Sequence, residues 1–207
     1  DSTGAGGVIE EGGIQWMTSG KGILHKEYHE KNFSKKGGDM QMVQLWVNLP
    51  AKDKMTEPKY QNIENNDLAK VDLGNGIGSI DIIAGEFEKN KGPASSFTPL
   101  SLFNVKLNKG KGTSLSFNES HNTGLLITKG NVTINNSEKA PTNHFVLFEN
   151  KGKEFTIKAE DEAEILVLSG EPIDEPIASY GPFVMNTNEE IRQTIDDFNS
   201  GKFGYLD

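Results

Sequence analysis

Leu102-Phe-Asn-Val-Lys-Leu107 and Glu154-Phe-Thr-Ile-Lys-Ala159 are the two stretches that decide the fold of this chain. From Phe103 to Leu107 in the first stretch, and throughout the second, apolar residues occupy alternate positions. Successive side chains of a strand point to opposite faces of its sheet, so one face of each stretch is buried and the other is solvated. This alternation is typical of antiparallel sheets that pack into a sandwich or a barrel.

Short segments of the same kind recur at regular spacing through the middle of the chain, and glycine, proline and asparagine separate almost all of them. Evenly spaced short strands with turn residues between them predict an all-β jelly-roll barrel. The predicted strands are Ala69–Leu73, Ile77–Glu86, Ser101–Leu107, Thr113–Phe117, Thr123–Lys129, Asn131–Asn135, His144–Glu149, Lys153–Ala159 and Ala163–Ser169.

The region before these strands has a different pattern. Val43–Leu49 is mostly apolar and predicts a strand that ends at Pro50, and Met55–Ile63 predicts an extended connector. The polar stretch Asn62–Asp67 has no periodic apolar face and predicts a boundary. We therefore expect a first unit over residues 1–63, a second barrel over 64–179, and a C-terminal extension over 180–207.

The C-terminal extension contains the clearest helix signal, over Asn186–Gly201. Thr187 and Glu190 have the spacing of a capping box, which satisfies free backbone N–H groups at the start of a helix. Ile191, Ile195 and Phe198 fall four and three residues apart, which predicts one apolar stripe. Gly201 supplies the end of the helix.

Composition narrows the class of protein. The 207 residues carry a net charge of −9 and no cysteine, which excludes disulfides and thiolate metal sites and fits a reducing compartment, so we expect a cytoplasmic protein. No apolar run has the length of a membrane span. Arg192 is the only arginine, so direct nucleic-acid binding is disfavoured. Lys106, Lys109 and Lys111 form a small basic cluster that predicts a solvated hairpin turn more than a binding patch.

Gly13-Ile-Gln-Trp-Met-Thr-Ser-Gly-Lys-Gly-Ile-Leu-His-Lys-Glu27 is the stretch that points to chemistry. On a strand, His25 and Glu27 share a face and can converge on one metal ion. A neutral imidazole and a carboxylate suit iron, manganese or zinc. The alternative is a surface polar pair. His29 is a third candidate, but three such residues span about 13 Å at strand rise, which disfavours it as a ligand.

The same stretch resembles the signature of the pirin family, which consists of two-barrel cupin proteins. The resemblance continues in the family's order at Gln44-Leu-Trp-Val-Asn-Leu-Pro50, Lys54-Met-Thr-Glu-Pro-Lys-Tyr60 and Tyr180-Gly-Pro-Phe-Val-Met-Asn-Thr187. It implies a bicupin, in which each barrel is a double-stranded β-helix, with a C-terminal helix. It also implies that His25 and Glu27 bind iron, or another divalent metal, together with a His-x-His pair from an earlier strand.

This chain has no His-x-His pair, and it opens at Asp1 with residues that resemble the turn after that strand. We therefore expect a fragment with an incomplete first barrel, weak metal binding or none, and no turnover. In the intact form, the resemblance implies an iron-dependent quercetin (flavonol) 2,3-dioxygenase that takes a flavonol-like small molecule. The sequence itself assigns no catalytic residue.

Two other functions remain open. The family resemblance also implies non-enzymatic regulators that bind a protein partner and use the metal as a structural or redox-sensing element. A metal-free β-barrel binding module is the third alternative. His121 and His144 stand apart from each other, so no second metal site is expected in the second barrel.

Four large apolar residues have two alternative roles: Trp16, Met17, Trp46 and Phe183 either line a pocket for a flat aromatic molecule or belong to a core. Gln15 and Thr18 are candidates for hydrogen bonds that orient the metal ligands.

Overall fold

The computed structural model describes residues 1–206, and the chain divides into two compact units. The first unit combines Asp1–Asn65 with the residues from Ile173 onward, and the second unit is Asn66–Pro172. The three-part division predicted from the sequence stays a prediction. Among the residues described, no helix is long and apolar enough to cross a membrane.

The second unit is built from antiparallel strands in two main sheets. Its strands are β3 (Ala69–Asp72), β4 (Gly78–Ala84), β5 (Glu86–Phe87), β6 (Asn90–Lys91), β7 (Leu100–Leu107), β8 (Gly112–Ser116), β9 (Asn122–Lys129), β10 (Val132–Ile134), β11 (Glu138–Ala140), β12 (Phe145–Leu147), β13 (Glu154–Ala159) and β14 (Ala163–Gly170). One sheet has the order β12-β9-β14-β7-β4-β3, and the other has the order β11-β10-β13-β8. This is the all-β architecture that the alternating segments predict.

The core of the second unit contains residues of both sheets. In β14, Ala163, Ile165 and Val167 are buried while their neighbours are only partly covered, as the alternation in the sequence predicts. Phe103 is completely buried, and its ring lies 5.9 Å from the rings of both Phe87 and Phe117. Apolar burial on this scale is the main source of stability in a sheet sandwich.

All nine predicted strands of this unit are present, with bounds close to those expected. The sequence reasoning missed the two-residue hairpin strands β5 and β6 and the three-residue strand β11. Two or three residues are too few to show a period of two, so no alternation marks them. The expected turn containing Lys109 and Lys111 is present between β7 and β8.

The first unit has less regular structure. It contains β1 (Ile14–Thr18), the short helix α1 (Lys31–Lys36), β2 (Lys59–Ile63), the strand pair β15 (Ala178–Tyr180) and β16 (Phe183–Met185), and helix α2 (Asn188–Asn199). β1 pairs antiparallel with β2, and β15 pairs with β16. The predicted connector over Met55–Ile63 therefore ends in a strand.

Helix α2 begins as the sequence predicts. The Thr187 hydroxyl accepts a hydrogen bond from the Glu190 backbone N–H, and the Glu190 carboxylate accepts one from the Thr187 N–H. Gly201 follows the helix with φ of 77°, a conformation that costs glycine little. Ile191 is buried, whereas Phe198 is 47% exposed, so the predicted apolar stripe is covered only in part.

The predicted strand over Val43–Leu49 is wrong, because these residues have neither helix nor strand structure. Val43, Trp46 and Val47 are exposed. A strand requires a neighbour with which its backbone groups can pair, and none of the described strands pairs with this segment. An apolar run alone therefore did not determine the backbone here.

Candidate metal site

The floor of the candidate site is the pair of strands β1 and β2. Met17 lies directly opposite Tyr60, and Gln15 lies directly opposite Asn62. Residues opposite each other in an antiparallel pair project from the same face of the sheet. Gln15, Met17 and Tyr60 therefore share one face, and all three line the same small cavity.

A glycine turn after β1 brings the chain back over this floor. Gly20 has φ of 50°, and a Cβ atom at this position would lie 2.0 Å from the carbonyl oxygen of Thr56. The next residue, Lys21, donates its backbone N–H to that same oxygen over 2.9 Å. Only glycine allows so close an approach at a positive φ, and the turn leads the chain directly to His25.

The sequence prediction that His25 and Glu27 lie on a strand is wrong, because both residues are in an irregular segment. β1 ends at Thr18, and the tight turn at Gly20 and Gly22 takes the following residues out of the sheet. Even so, the His25 Nδ1 atom lies 3.9 Å from the Glu27 Oε1 atom. The loop brings together the two side chains that a strand was expected to align.

The donors and their separation fit one divalent metal ion. Imidazole nitrogens and carboxylate oxygens both bind such ions at about 2.1 Å, so two ligands of one ion lie at most about 4.2 Å apart. The separation of 3.9 Å falls inside that limit, and both side chains are partly exposed. Within residues 1–206, however, no group of three or more His, Cys, Asp or Glu side chains is placed to hold a metal. The described residues therefore offer a two-donor site.

Gln15 orients the carboxylate of this pair. Its Nε2 atom donates a hydrogen bond of 3.1 Å to Glu27 Oε1, the same oxygen that faces His25. A partner of this kind restricts the rotation of a ligand. The sequence had singled out Gln15 for such a role. Thr18, named with it, is buried and has no comparable contact with either donor in the described residues.

Tyr60 belongs to this site, and sequence reasoning missed its role there. It lines a cavity of about 70 Å³ together with His25, Gln15 and Met17. Its hydroxyl is buried and has no protein hydrogen-bond partner. Burial and, secondarily, the negative charge of Glu27 raise the pKa of Tyr60 above its ordinary value, so the phenol keeps its proton. The only signal in the sequence was its place at the end of the segment Lys54–Tyr60.

The other candidates from the sequence lie elsewhere. His29 is exposed, and its ring meets the ring of Phe33 edge-on at 5.7 Å. Trp46 is 63% exposed and does not line the cavity. Phe183 packs against Phe198 and Phe203, which is the core role that the sequence left open.

The two histidines of the second unit have different polar neighbours. His121 Nδ1 lies 3.5 Å from the Ser169 hydroxyl, and His144 Nδ1 lies 3.3 Å from the carbonyl oxygen of Thr142. Each histidine thus has its own polar neighbour within the protein.

Comparisons with known proteins agree with this architecture. The family model described as "Pirin C-terminal cupin domain" matches residues 102–204, and the model described as "Pirin" matches residues 1–47. A Pseudomonas aeruginosa protein named "Putative quercetin 2,3-dioxygenase" is 42% identical over 98% of this chain and 71% of its own length. A Solanum lycopersicum protein named "Pirin-like protein" is 36% identical over 99% of this chain and 69% of its own length.

A solved structure extends the likeness to three dimensions. The crystal structure of a quercetin 2,3-dioxygenase from Acinetobacter baumannii matches with a TM-score of 0.96 and 44% identity. The match covers all of this chain and 72% of that one. The cupin fold expected from the sequence is therefore confirmed.

Proposed function

This chain belongs to the pirin family, and we propose that His25 and Glu27 are ligands of a divalent metal ion, with iron the first candidate. Completed by the two further imidazoles that the family resemblance implies, this site would oxidise flavonols. The observation that carries this proposal is the separation of 3.9 Å between His25 Nδ1 and Glu27 Oε1. When bound, the metal would act as a Lewis acid with open coordination positions for a substrate oxygen and for dioxygen.

The chain's own residues have separate parts in this proposal. His25 and Glu27 hold the ion, and Gln15 keeps the Glu27 carboxylate turned toward His25. The negative charge of Glu27 offsets part of the charge of the ion, which lowers the cost of holding it in a partly covered site. The family resemblance implies two further imidazoles from a His-x-His pair. The 207 residues contain no such pair. Binding by this chain is therefore expected to be weak.

The choice of a flavonol rests on the relatives. Two of the proteins described above have quercetin 2,3-dioxygenase in their names. The site itself supports a substrate that carries oxygen atoms, since its lining combines an imidazole, an amide and a phenol. These groups bind oxygen-bearing ligands better than purely apolar ones.

The metal part of the proposal is tested by calorimetric titration of the metal-free protein with Fe²⁺ under argon. His25→Ala and Glu27→Gln are each expected to weaken binding at least tenfold. His29→Ala is the matched control, because it removes an exposed imidazole four residues further along. If His29→Ala weakens binding as much as His25→Ala, the assignment of ligands is wrong.

The catalytic part needs a separate measurement. Iron-loaded protein is mixed with quercetin, and the loss of the flavonol absorbance is followed with and without dioxygen. Loss that requires both dioxygen and His25 supports the oxygenase function. Metal binding without dioxygen-dependent loss of flavonol is the result expected of the two-donor site in the described residues, and it leaves metal binding as the function of this chain by itself.

A further inference from the structure

The backbone immediately before His25 is held by a single residue, Ser2. The Ser2 backbone N–H donates a hydrogen bond to the Leu24 carbonyl oxygen over 2.7 Å, and the Ser2 hydroxyl accepts one from the Leu24 backbone N–H over 3.0 Å. The Leu24 carbonyl belongs to the peptide unit that joins Leu24 to His25. Because a peptide unit is planar, holding its oxygen restricts the direction in which the His25 side chain leaves the backbone.

The Ser2 hydroxyl also makes a hydrogen bond to the C-terminal part of the first unit. It donates to the Phe203 carbonyl oxygen while it accepts from the Leu24 N–H. A hydroxyl group is both donor and acceptor, so the two bonds form together. Phe203 is 7% exposed, and its ring lies 6.1 Å from the rings of both Phe183 and Phe198. Ser2 therefore connects Leu24 to a well-packed aromatic residue.

The ring of that aromatic residue also packs on the turn that precedes His25. A Cβ atom at Gly22 would lie 2.2 Å from the Phe203 Cε1 atom, so the ring is in close contact with the backbone of the glycine. Lys21 is held by the backbone hydrogen bond described above. The chain is thus fixed at Lys21, Gly22 and Leu24 before it reaches His25.

The short segment that carries Ser2 is itself ordered by hydrogen bonds. Asp1 Oδ1 accepts one from the Thr3 backbone N–H over 2.9 Å and one from the Ala5 backbone N–H over 3.2 Å. These bonds restrict the backbone on both sides of Ser2. Less conformational entropy is therefore lost when Ser2 makes its own hydrogen bonds.

We propose that Ser2 is a positioning residue, which holds the backbone at Leu24 so that the His25 imidazole stays close to the Glu27 carboxylate. This inference rests on the proposed metal site, because it assigns to that site a residue that acts through Leu24. His25 and Glu27 lie outside helices and strands, so no sheet fixes their backbone. A segment that is already in its binding conformation loses less entropy when the ion binds.

The first test is calorimetric titration of the metal-free variants with Fe²⁺ under argon. Ser2→Ala removes both hydrogen bonds of the hydroxyl and should weaken binding about fivefold, which corresponds to about one net hydrogen bond. Ser200→Ala is the control, because the exposed Ser200 hydroxyl donates to the Asp197 carbonyl oxygen over 3.0 Å in the same unit. The control should keep the affinity of the wild type. An equal loss in both variants would contradict the role of Ser2.

Hydrogen exchange at the Leu24 N–H separates positioning from a general loss of stability. Exchange, followed by nuclear magnetic resonance without metal, should become faster in Ser2→Ala and stay unchanged in Ser200→Ala. In Ser2→Thr, which keeps a hydroxyl, slow exchange at Leu24 should return together with the affinity of the wild type. Fast exchange at Leu24 with unchanged affinity, or lost affinity with unchanged exchange, overturns the proposal.

The motion of the His25 ring gives a further measurement that needs no metal. Carbon relaxation should show a more mobile His25 ring in Ser2→Ala than in the wild type, while the exposed His29 ring stays as it is. Unchanged motion of the His25 ring would overturn the positioning role. If the wild type does not bind Fe²⁺, the proposed metal function fails, and the exchange and relaxation data alone decide the role of Ser2.

Discussion

The two units of the molecule bury very different amounts of apolar side chain. Among residues 1–206, 25 aliphatic and aromatic residues are buried, of which only Ile63, Ile191 and Phe203 belong to the first unit and the other 22 to the second. The proposed metal donors His25 and Glu27 and the cavity beside His25 lie in the first unit, by contrast. Stability and chemistry are thus concentrated in different parts of the chain, so substitutions in each part should give separable effects.

The largest effect is expected from Phe103→Ala in the second unit. Phe103 is completely buried between Phe87 and Phe117, and truncation of a buried phenylalanine costs about 3–5 kcal/mol of unfolding free energy. Urea unfolding measures the loss, and Phe97→Ala is the control because Phe97 is 41% exposed. Equal stability of the two variants would show that this core does not dominate the stability of the unit.

A smaller loss of unfolding free energy is expected when a buried carboxylate of the second unit loses its ion-pair partner. The Asp81 side chain is 5% exposed, and Lys106 Nζ donates to its Oδ2 atom over 2.9 Å. Lys106→Met leaves that carboxylate unpaired and should cost about 1–3 kcal/mol of unfolding free energy. Lys109→Met, in the turn between β7 and β8, is the control and should be nearly neutral. A loss of the same size in both variants would contradict a specific role for the Asp81–Lys106 pair.

A substitution in the first unit should change metal affinity and leave the stability of the fold almost unchanged. Gln15→Met keeps the length of the side chain but removes the hydrogen bond to Glu27, so metal affinity should fall about tenfold while the unfolding midpoint hardly changes. Titration with Fe²⁺ under argon measures the affinity. Gln44→Met, at an exposed position of the same unit, is the control. Unchanged affinity in Gln15→Met would show that Gln15 does not orient a metal ligand.

The smallest expected effect is a pH dependence of stability, caused by Glu190 at the start of α2. Burial raises the pKa of Glu190, but hydrogen bonds from Asn186 and Thr187 outweigh it and place the pKa below the ordinary value of 4.5. A carboxyl whose pKa is lower in the folded state stabilises the fold above the unfolded pKa. This contribution disappears as the pH falls through the folded pKa.

The wild type should therefore lose more thermal stability than Glu190→Gln when the pH is lowered from about 6 to about 3. Thermal unfolding followed by circular dichroism measures the difference. Glu189→Gln, in the same first helical turn, should behave like the wild type. Identical pH profiles for the wild type and Glu190→Gln would contradict the role assigned to the capping box.

The same contrast between the units explains what the sequence could predict. Strands such as β13 and β14 were predictable because each buries one face, and burial of one face imposes a period of two on the sequence. The capping box of α2 was predictable because it depends on two residues three positions apart. Both signals are local, and the structure confirms them.

The first unit was harder to predict because its structure depends on contacts between distant residues. Val43–Leu49 looked like a strand, but no described strand pairs with it. His25 and Glu27 were placed on a strand, whereas the turn at Gly20 brings them together in a loop. The cavity combines the first residues of the chain with His25 and Tyr60, and no period or spacing links such separated segments.

The most direct test of the account is a titration of the isotope-labelled protein with Mn²⁺, followed through the ring signals of its four histidines by nuclear magnetic resonance. A paramagnetic ion broadens the signals of nearby nuclei. The account predicts that the His25 signals broaden first and most of the four. Earlier broadening of His121 or His144, or equal broadening of all four, would contradict the claim that the first unit holds the metal.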